Sequence, residues 1–237
     1  MSLEISVKPI EVLYTAVLLA WVIAVVRFIS KAVYEAALRR YGDEYVGIYF
    51  ARKAIHILAG GLVAFVIPVF GLFSSFVIPL AMALLLAFFC WWPHHTGELM
   101  YWFQDPNNMY EIDFCLVWGA LMTASWLLTG AWWLGVVPIL FMAVGDGLTG
   151  IVRNFLFKRR TKHWSGNVAM FLVCAPIGYF LGPFSWAGVI AAALASAVEH
   201  VEKIGETYID DNITVPLASF AILLFFTLSG VPYTIVS

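Results

Sequence analysis

The sequence predicts an all-α fold, a polytopic integral membrane bundle of about eight transmembrane helices in a single domain spanning 1–237. Of its 237 residues, 62% are hydrophobic and only 12% are charged, and the mean hydropathy is +0.90. A soluble domain is typically about half apolar and about a quarter charged. Long stretches carry no charged residue at all, and the charges that remain cluster in a few loops. These observations exclude a soluble enzyme and a disordered chain.

Each charge-free stretch is interpreted as one or two helices, because a membrane-spanning helix needs about 20 residues. The stretches cover 12–26, 54–97, 114–145, 163–198 and 212–237. The first and last are single spans, and the other three are long enough to be helical hairpins. Helix breakers predict the hairpin turns at 71–75, 129–130 and 182–185. The stretch 114–145 is short for two crossings, so a re-entrant segment or a polar extension is the alternative there. The alternative count is seven spans.

The distribution of basic residues predicts the orientation. With eight spans, four longer loops share one face, and they contain 12 of the 13 Lys and Arg residues. The loops are 27–53, 94–113, 146–162 and 199–211. The positive-inside rule makes this face cytoplasmic, in the plasma membrane of a prokaryote or an ER-like membrane. Residues 30–41 are predicted to continue the first helix, with basic side chains among the membrane lipid headgroups.

Composition also excludes two further classes of protein. The formal net charge is −2, so there is no basic signature for a nucleic-acid partner. The three cysteines lie inside apolar stretches and imply no disulfide framework. Chemistry, if there is any, must come from polar clusters at the ends of the spans, where charge is costly and is a functional signal by default.

The first cluster opens the second charge-free stretch. Arg52 and His56 are four residues apart and share a helix face, with Lys53 beside them. The alternative is that Arg52 and Lys53 only anchor the helix at the interface, while His56 bonds a neighbouring helix. We favour a site for Arg52 with His56, and an anchor for Lys53 taken alone.

The second cluster is Gly145-Asp146-Gly147, followed by Thr149 and Arg153. It is interpreted as the end of an apolar helix, where glycine allows a ligand to approach the backbone. The Asp146 carboxylate is suited to hold Mg²⁺ against phosphate oxygens. The alternative is a glycine-rich turn with a solvated acid.

The third and fourth clusters are a basic loop and an acidic loop. The basic loop, 158–166, contains Arg160, Lys162 and Gly166, and cations near a metal-binding acid suit a nucleotide phosphate. A lipid-headgroup patch is the alternative for it. The acidic loop runs from Glu199 to Asp211 and Asn212, and it suggests a second metal ligand or a base. A further group, 94–113, is interpreted as a structural rim.

The four clusters, in this order, resemble the polyprenol kinase family, which includes dolichol, phytol and farnesol kinases and CTP-dependent diacylglycerol kinase. This family is distantly similar to phosphatidate cytidylyltransferase. The pattern R-K-x-x-H-x-x-x-G matches Arg52, Lys53, His56 and Gly60, and G-D-x-x-A/T-x-x-x-G/R matches Gly145, Asp146, Thr149 and Arg153. The element E…D-N-[IL]-x-[IV]-P matches Glu199, Asp211, Asn212 and Pro216. The element K-S-x-E-G matches in part, with His163 in place of Ser and Ser165 in place of Glu.

The resemblance implies a kinase that transfers the γ-phosphoryl group of CTP to an isoprenoid alcohol such as a polyprenol, geranylgeraniol, phytol or farnesol. Asp146, with Glu199 and Asp211, would hold Mg²⁺, and Glu199, Asp211 or His56 would accept the alcohol proton. Other residues of the four clusters would bind the nucleotide, namely Arg52, Lys53, Gly145, Gly147, Thr149, Arg153, Arg160, Lys162, Gly166 and Asn212.

Two other functions remain open at this point. Cytidylyl transfer to a lipid phosphate would use the same metal and the same cations. A transporter or lipid-binding membrane protein would place its buried charges near the middle of the membrane and on both faces, whereas here they are confined to one face.

Overall fold

A computed structural model describes residues 7–157, 163–201, 203–204 and 207–231. The described residues are helical apart from short connections and one pair of two-residue strands. They divide into two compact units, Met1–Thr123 and Ala124–Ser237. The prediction of an all-α helical membrane protein is confirmed.

The first unit begins with one long interrupted helix. Helix α1 (Pro9–Ala24), a π-helical turn (Val25–Ile29) and α2 (Ser30–Tyr41) follow without a break, so the predicted extension of the first span is confirmed. Gly42 ends α2 in the left-handed conformation that glycine adopts at helix ends. Asp43 then caps α3, because its Oδ1 accepts hydrogen bonds from the amides of Tyr45 and Val46.

The second helical stretch of this unit also contains a π-helical turn. The chain runs through α3 (Glu44–Ile55), the turn (His56–Gly61) and α4 (Leu62–Val69). Helix α5 (Val77–Thr96) follows, and α6 (Tyr110–Thr129) begins in this unit, which ends at Thr123 within that helix.

The second unit contains the remaining elements. Helix α7 (Trp133–Leu140), a π-helical turn (Phe141–Gly145) and α8 (Asp146–Phe157) are continuous. Helices α9 (Trp164–Leu181), α10 (Ser185–Glu199) and α11 (Asp211–Leu228) follow. Strands β1 (Lys203–Ile204) and β2 (Thr207–Tyr208) pair antiparallel between α10 and α11.

Seven helical stretches in the described part of the chain are long and apolar enough to cross a membrane. They are Pro9–Tyr41, Glu44–Val69, Val77–Thr96, Tyr110–Thr129, Trp133–Asn154, Trp164–Leu181 and Asp211–Leu228. The seventh predicted span, α10, is not among them, because it is apolar but has only 15 residues. At about 1.5 Å per residue it is shorter than the hydrocarbon core of a typical bilayer. The three predicted hairpin turns are confirmed by the breaks between α4 and α5, α6 and α7, and α9 and α10.

The stretch 114–145 forms two helices, and the polar extension considered for it is present. The helices extend into polar sequence, from Tyr110 at one end and to Phe157 at the other. The prediction that Asp146 ends an apolar helix is wrong. The helix continues through Asp146 because a π-helical turn, which accommodates one extra residue per turn, replaces a break at this point.

Glycines allow α9 and α10 to pack backbone against backbone. A Cβ atom on Gly178 would overlap the backbone of Gly188, and the reverse also holds. Close approach through small residues is the usual way in which membrane helices associate, because lipid supplies little hydrophobic drive between them. The contact places the end of α10, where Glu199 lies, beside α9.

We expect Gly178→Ala to destabilise the second unit by about 1–3 kcal/mol, because the added methyl group overpacks this contact. Thermal unfolding of the purified protein in detergent measures the effect. Ala193→Val is the control, since Ala193 is exposed on α10 and should tolerate added carbons. Equal melting temperatures for the two variants would contradict the close packing.

Candidate functional site

Three acidic side chains converge in the second unit. One carboxylate oxygen from each of Asp146, Glu199 and Asp211 lies within 4.8 Å of the other two. Asp146 and Glu199 are buried, at 3% and 2% exposure, and Asp211 is half-buried. The sequence predicted these three residues as metal ligands, although 65 positions separate the first from the last.

The helix ends bring these acids together. Asp146 is the first residue of α8, Glu199 is the last residue of α10, and Asp211 is the first residue of α11. Helix α10 packs on both α9 and α11, and α9 packs on α8. Asp210 caps α11 by accepting a hydrogen bond from the amide of Asn212 at 2.8 Å, which fixes where that helix begins.

Arg153 forms a bidentate ion pair with Glu199. Its Nη1 donates to Oε1 at 2.8 Å, and its Nη2 donates to Oε2 at 2.9 Å. The guanidinium is 5% exposed, so the pair is buried. A guanidinium matches a carboxylate in this parallel geometry, and such bonds are stronger than those between neutral groups.

Asn167, on α9, joins this pair to a third helix. Its Nδ2 donates to Glu199 Oε2 at 2.9 Å and to the carbonyl oxygen of Ser196 at 2.6 Å. Its Oδ1 accepts a hydrogen bond from Nη2 of Arg153 at 2.9 Å. Ser196 returns a bond from Oγ to the carbonyl oxygen of Asn167 at 2.6 Å. The network therefore ties α8, α9 and α10 together around Glu199.

Asn167 and Ser196 were not predicted from the sequence to belong to the site. A usable signal was present, because both are polar residues inside apolar helices, and such residues usually bond across helices in a membrane. Neither belongs to one of the four motif clusters, so the sequence does not distinguish them from other small polar residues of the spans.

Arg153, which the sequence predicts to bind phosphate, is engaged mainly within the protein. Besides its three bonds to Glu199 and Asn167, the guanidinium donates from Nε to the carbonyl oxygen of His163 at 2.9 Å. Four of its five N–H groups are thus committed within the protein. These bonds position Glu199, and the phosphate contact of Arg153 stays a prediction.

Two motif glycines are explained by packing. A Cβ atom on Gly166 would overlap the guanidinium of Arg153, so glycine leaves the space through which that side chain reaches Glu199. A Cβ atom on Gly145 would overlap Sγ of Cys174. Gly145, expected to admit a ligand, therefore serves the contact between the π-helical turn and α9.

The remaining motif residues of this unit lie around the acids. Gly147 and Thr149 are buried in the first turn of α8, and Asn212 is buried in the first turn of α11. Thr149 Oγ1 donates to the carbonyl oxygen of Asp146 at 2.7 Å and lies 3.4 Å from its Oδ1. Arg160 and Lys162, predicted to bind phosphate, lie outside the described residues.

The first motif belongs to the first unit. Arg52 lies with its guanidinium carbon 5.1 Å from the centre of the Tyr110 ring, and Nζ of Lys53 lies at the same distance from the Tyr49 ring. His56 is buried and stacks on Phe114 at 4.2 Å between ring centres. A Cβ atom on Gly60 would overlap the Phe114 ring, so that glycine makes room for it.

The loop 94–113, predicted to be a structural rim, contains a buried polar network. His94 Nε2 lies 2.7 Å from Oε1 of Glu111. Gln104 Nε2 donates to the same oxygen and to the carbonyl oxygen of Cys90, both at 2.9 Å. These bonds tie the end of α5 to the start of α6.

The acid cluster has a donor set suited to Mg²⁺. This ion prefers carboxylate and water oxygens at about 2.0–2.1 Å, so oxygens on opposite sides of it are about 4 Å apart. The 4.8 Å limit within the cluster is close to that spacing. Each carboxylate oxygen has two lone pairs, so the bonds from Arg153 to Glu199 are compatible with coordination and are typical of groups that orient a metal ligand.

We expect Arg153→Lys to destabilise the protein by about 1–3 kcal/mol, because one ammonium group cannot replace the paired bonds to a buried carboxylate. Arg39→Lys is the matched control, since that side chain is 72% exposed and lies 3.9 Å from Glu35. Thermal unfolding in detergent compares the two. Similar melting temperatures for both variants would contradict a buried ion pair at Glu199.

Comparison with known proteins adds no further constraint. No protein-family model, curated protein or solved structure matches this chain. The functional interpretation depends on the geometry above and on the motif resemblance.

Proposed function

We propose that this protein is a lipid-alcohol kinase that transfers the γ-phosphoryl group of CTP to an isoprenoid alcohol. The observation that carries the proposal is the convergence of Asp146, Glu199 and Asp211, from three helices, within 4.8 Å. Phosphoryl transfer depends mainly on positioning and on neutralising phosphate charge, which is the chemistry such a cluster supports.

Asp146, Glu199 and Asp211 would hold Mg²⁺, which supplies positive charge to the phosphate oxygens. Burial of Asp146 and Glu199 keeps water from weakening these electrostatic interactions. Arg153 and Asn167 keep Glu199 oriented throughout, since the hydrogen bonds they make do not involve substrate. Preorganised ligands need no rearrangement when the nucleotide arrives.

The transfer step is an in-line displacement. The alcohol oxygen bonds to the γ-phosphorus, the bond from that phosphorus to the β-bridging oxygen breaks, and CDP leaves with the electron pair. The alcohol proton passes to a carboxylate. Asp211 is the better acceptor by position, because it is the most exposed of the three acids and Glu199 is already bound at both oxygens by Arg153.

The basic segment 158–162 would supply the cations for the nucleotide phosphates. It connects α8, which begins at Asp146, to α9, which carries Asn167. Lys162 matches the family element K-S-x-E-G, and Arg160 is the other residue of that segment predicted to bind phosphate. The choice of CTP as donor, and of an isoprenoid alcohol as acceptor, is supported by the motif resemblance. Lys and Arg residues are concentrated in the loops of one predicted face, and this supports a cytoplasmic active face.

The direct test is label transfer by the purified protein in detergent with Mg²⁺. CTP labelled at the α or the γ phosphate is supplied with isoprenoid alcohols, diacylglycerol and phosphatidate. We expect lipid product carrying only the γ label. Lipid carrying the α label would replace the proposal with cytidylyl transfer. The absence of label from CTP, ATP and UTP, with folded protein, would favour transport or lipid binding.

We expect Asp146→Asn to lower the transfer rate about 100-fold or more, because even outer-shell groups around a metal are worth about 10–100-fold. Asp113→Asn is the matched control, since Asp113 lies in the first unit and outside the acid cluster. The rate of γ-label transfer is measured alongside the melting temperature of each variant. Equal rates for the two folded variants would contradict a role for Asp146 in catalysis.

A further inference from the structure

The first unit contains a second feature with the properties of a binding site, a cavity of about 590 Å³. Ligand pockets usually fall between roughly 300 and 1,000 Å³. The π-helical turns that follow α1 and α3, together with α5 and α6, supply most of its wall. All of its lining residues belong to the first unit.

The cavity is apolar at one end and polar at the other. Val63, Met82 and Trp118 line the apolar end of the cavity. Arg52 on α3, Thr96 on α5 and Glu111 on α6 line it at the other end. The helices alternate in direction, so the α3 part of the stretch Glu44–Val69, the end of α5 and the start of α6 share one face of the unit. The lining is therefore graded along the helix axes.

Glu111 marks the polar end with an acceptor that the protein does not use. The residue is 7% exposed, and its Oε1 is engaged by His94 and Gln104. Its Oε2 is buried and accepts no hydrogen bond from any residue in the described part of the chain. A buried carboxylate oxygen without a donor is unfavourable, so a ligand that donates a proton to it would be stabilised.

We propose that this cavity binds a single-chain lipid alcohol, with its hydrocarbon chain along the apolar wall and its hydroxyl group donating to Oε2 of Glu111. A hydroxyl donates one hydrogen bond and accepts others, and the polar end offers both kinds of partner in Glu111 and Arg52. Two acidic residues, Glu98 and Glu111, and two arginines, Arg27 and Arg52, line the cavity, so its lining carries no net formal charge. This balance suits an uncharged headgroup that hydrogen-bonds to Glu111.

This binding is separable from the kinase activity proposed above. The cavity lies within the first unit, whereas the acid cluster lies within the second. Only the identification of the bound alcohol as the phosphoryl acceptor rests on the proposed function. Binding is therefore measured without nucleotide or Mg²⁺, so that failure of one proposal is distinguishable from failure of the other.

Photolabelling with a diazirine derivative of hexadecanol, in nanodiscs, tests the location of the ligand. We expect labelled peptides from the cavity wall. Ala59→Phe should lower that labelling about tenfold, because Ala59 lines the cavity and a phenyl ring would fill it. Ala81→Phe is the matched control, since Ala81 is exposed on α5 and outside the cavity. Equal labelling of both variants, or labels only on lipid-facing residues, would overturn the proposal.

Competition tests the headgroup and does not depend on the cavity-filling variant. Unlabelled hexadecanol should displace the probe at about tenfold lower concentration than hexadecyl phosphate does. Glu111→Gln should narrow this ratio, because its amide keeps an oxygen for His94 and Gln104 but replaces the free acceptor with a donor. Equal competition by both lipids in the unsubstituted protein, or a ratio unchanged by Glu111→Gln, would refute the assignment of Glu111 to the hydroxyl group.

Discussion

The buried ion pair between Arg153 and Glu199 is the interaction on which the candidate site depends. Two carboxylates, Asp146 and Glu199, are almost fully buried, and a third lies beside them. Burying such a charge is unfavourable unless it is paired and hydrogen-bonded. Arg153 supplies the pairing at 2.8 and 2.9 Å, and Asn167 completes the hydrogen bonding. These partners come from α8 and α9, so the orientation of Glu199 depends on how those helices pack.

The same constraint explains why small residues recur around the site. Gly166 leaves room for the guanidinium, and Gly178 and Gly188 bring α9 and α10 close enough for Asn167 to reach Glu199 and Ser196. A π-helical turn precedes Asp146, and another begins at His56. Such turns shift the register of side chains on a helix and often occur at functional sites. These two of the three π-helical turns described coincide with motifs identified in the sequence, whereas the turn at Val25–Ile29 does not.

Most of the fold could be predicted from the sequence because a membrane restricts the structures that an apolar stretch can adopt. In lipid, each backbone polar group must be satisfied internally, so a long apolar stretch has to be a helix. The hairpin turns could also be predicted, because glycine and proline mark them between the apolar helices. The polar flanks were harder, since hydropathy does not show that α6 begins at Tyr110 or that the helix continues through Asp146. Those boundaries depend on tertiary partners for the polar side chains.

The sequence by itself determined the class of the protein and its apolar helices, and the motif resemblance singled out Asp146, Glu199 and Asp211, which the fold brings together. Those inferences depend on composition and on the order of residue types, which a linear pattern carries. Only the tertiary structure decided that Arg153 binds Glu199, that Gly145 packs against Cys174, and that Asn167 joins three helices. The physical reason is that a cation bonds to whichever anion the packing of helices brings within reach, and residues 46 positions apart along the chain meet only when those helices pack.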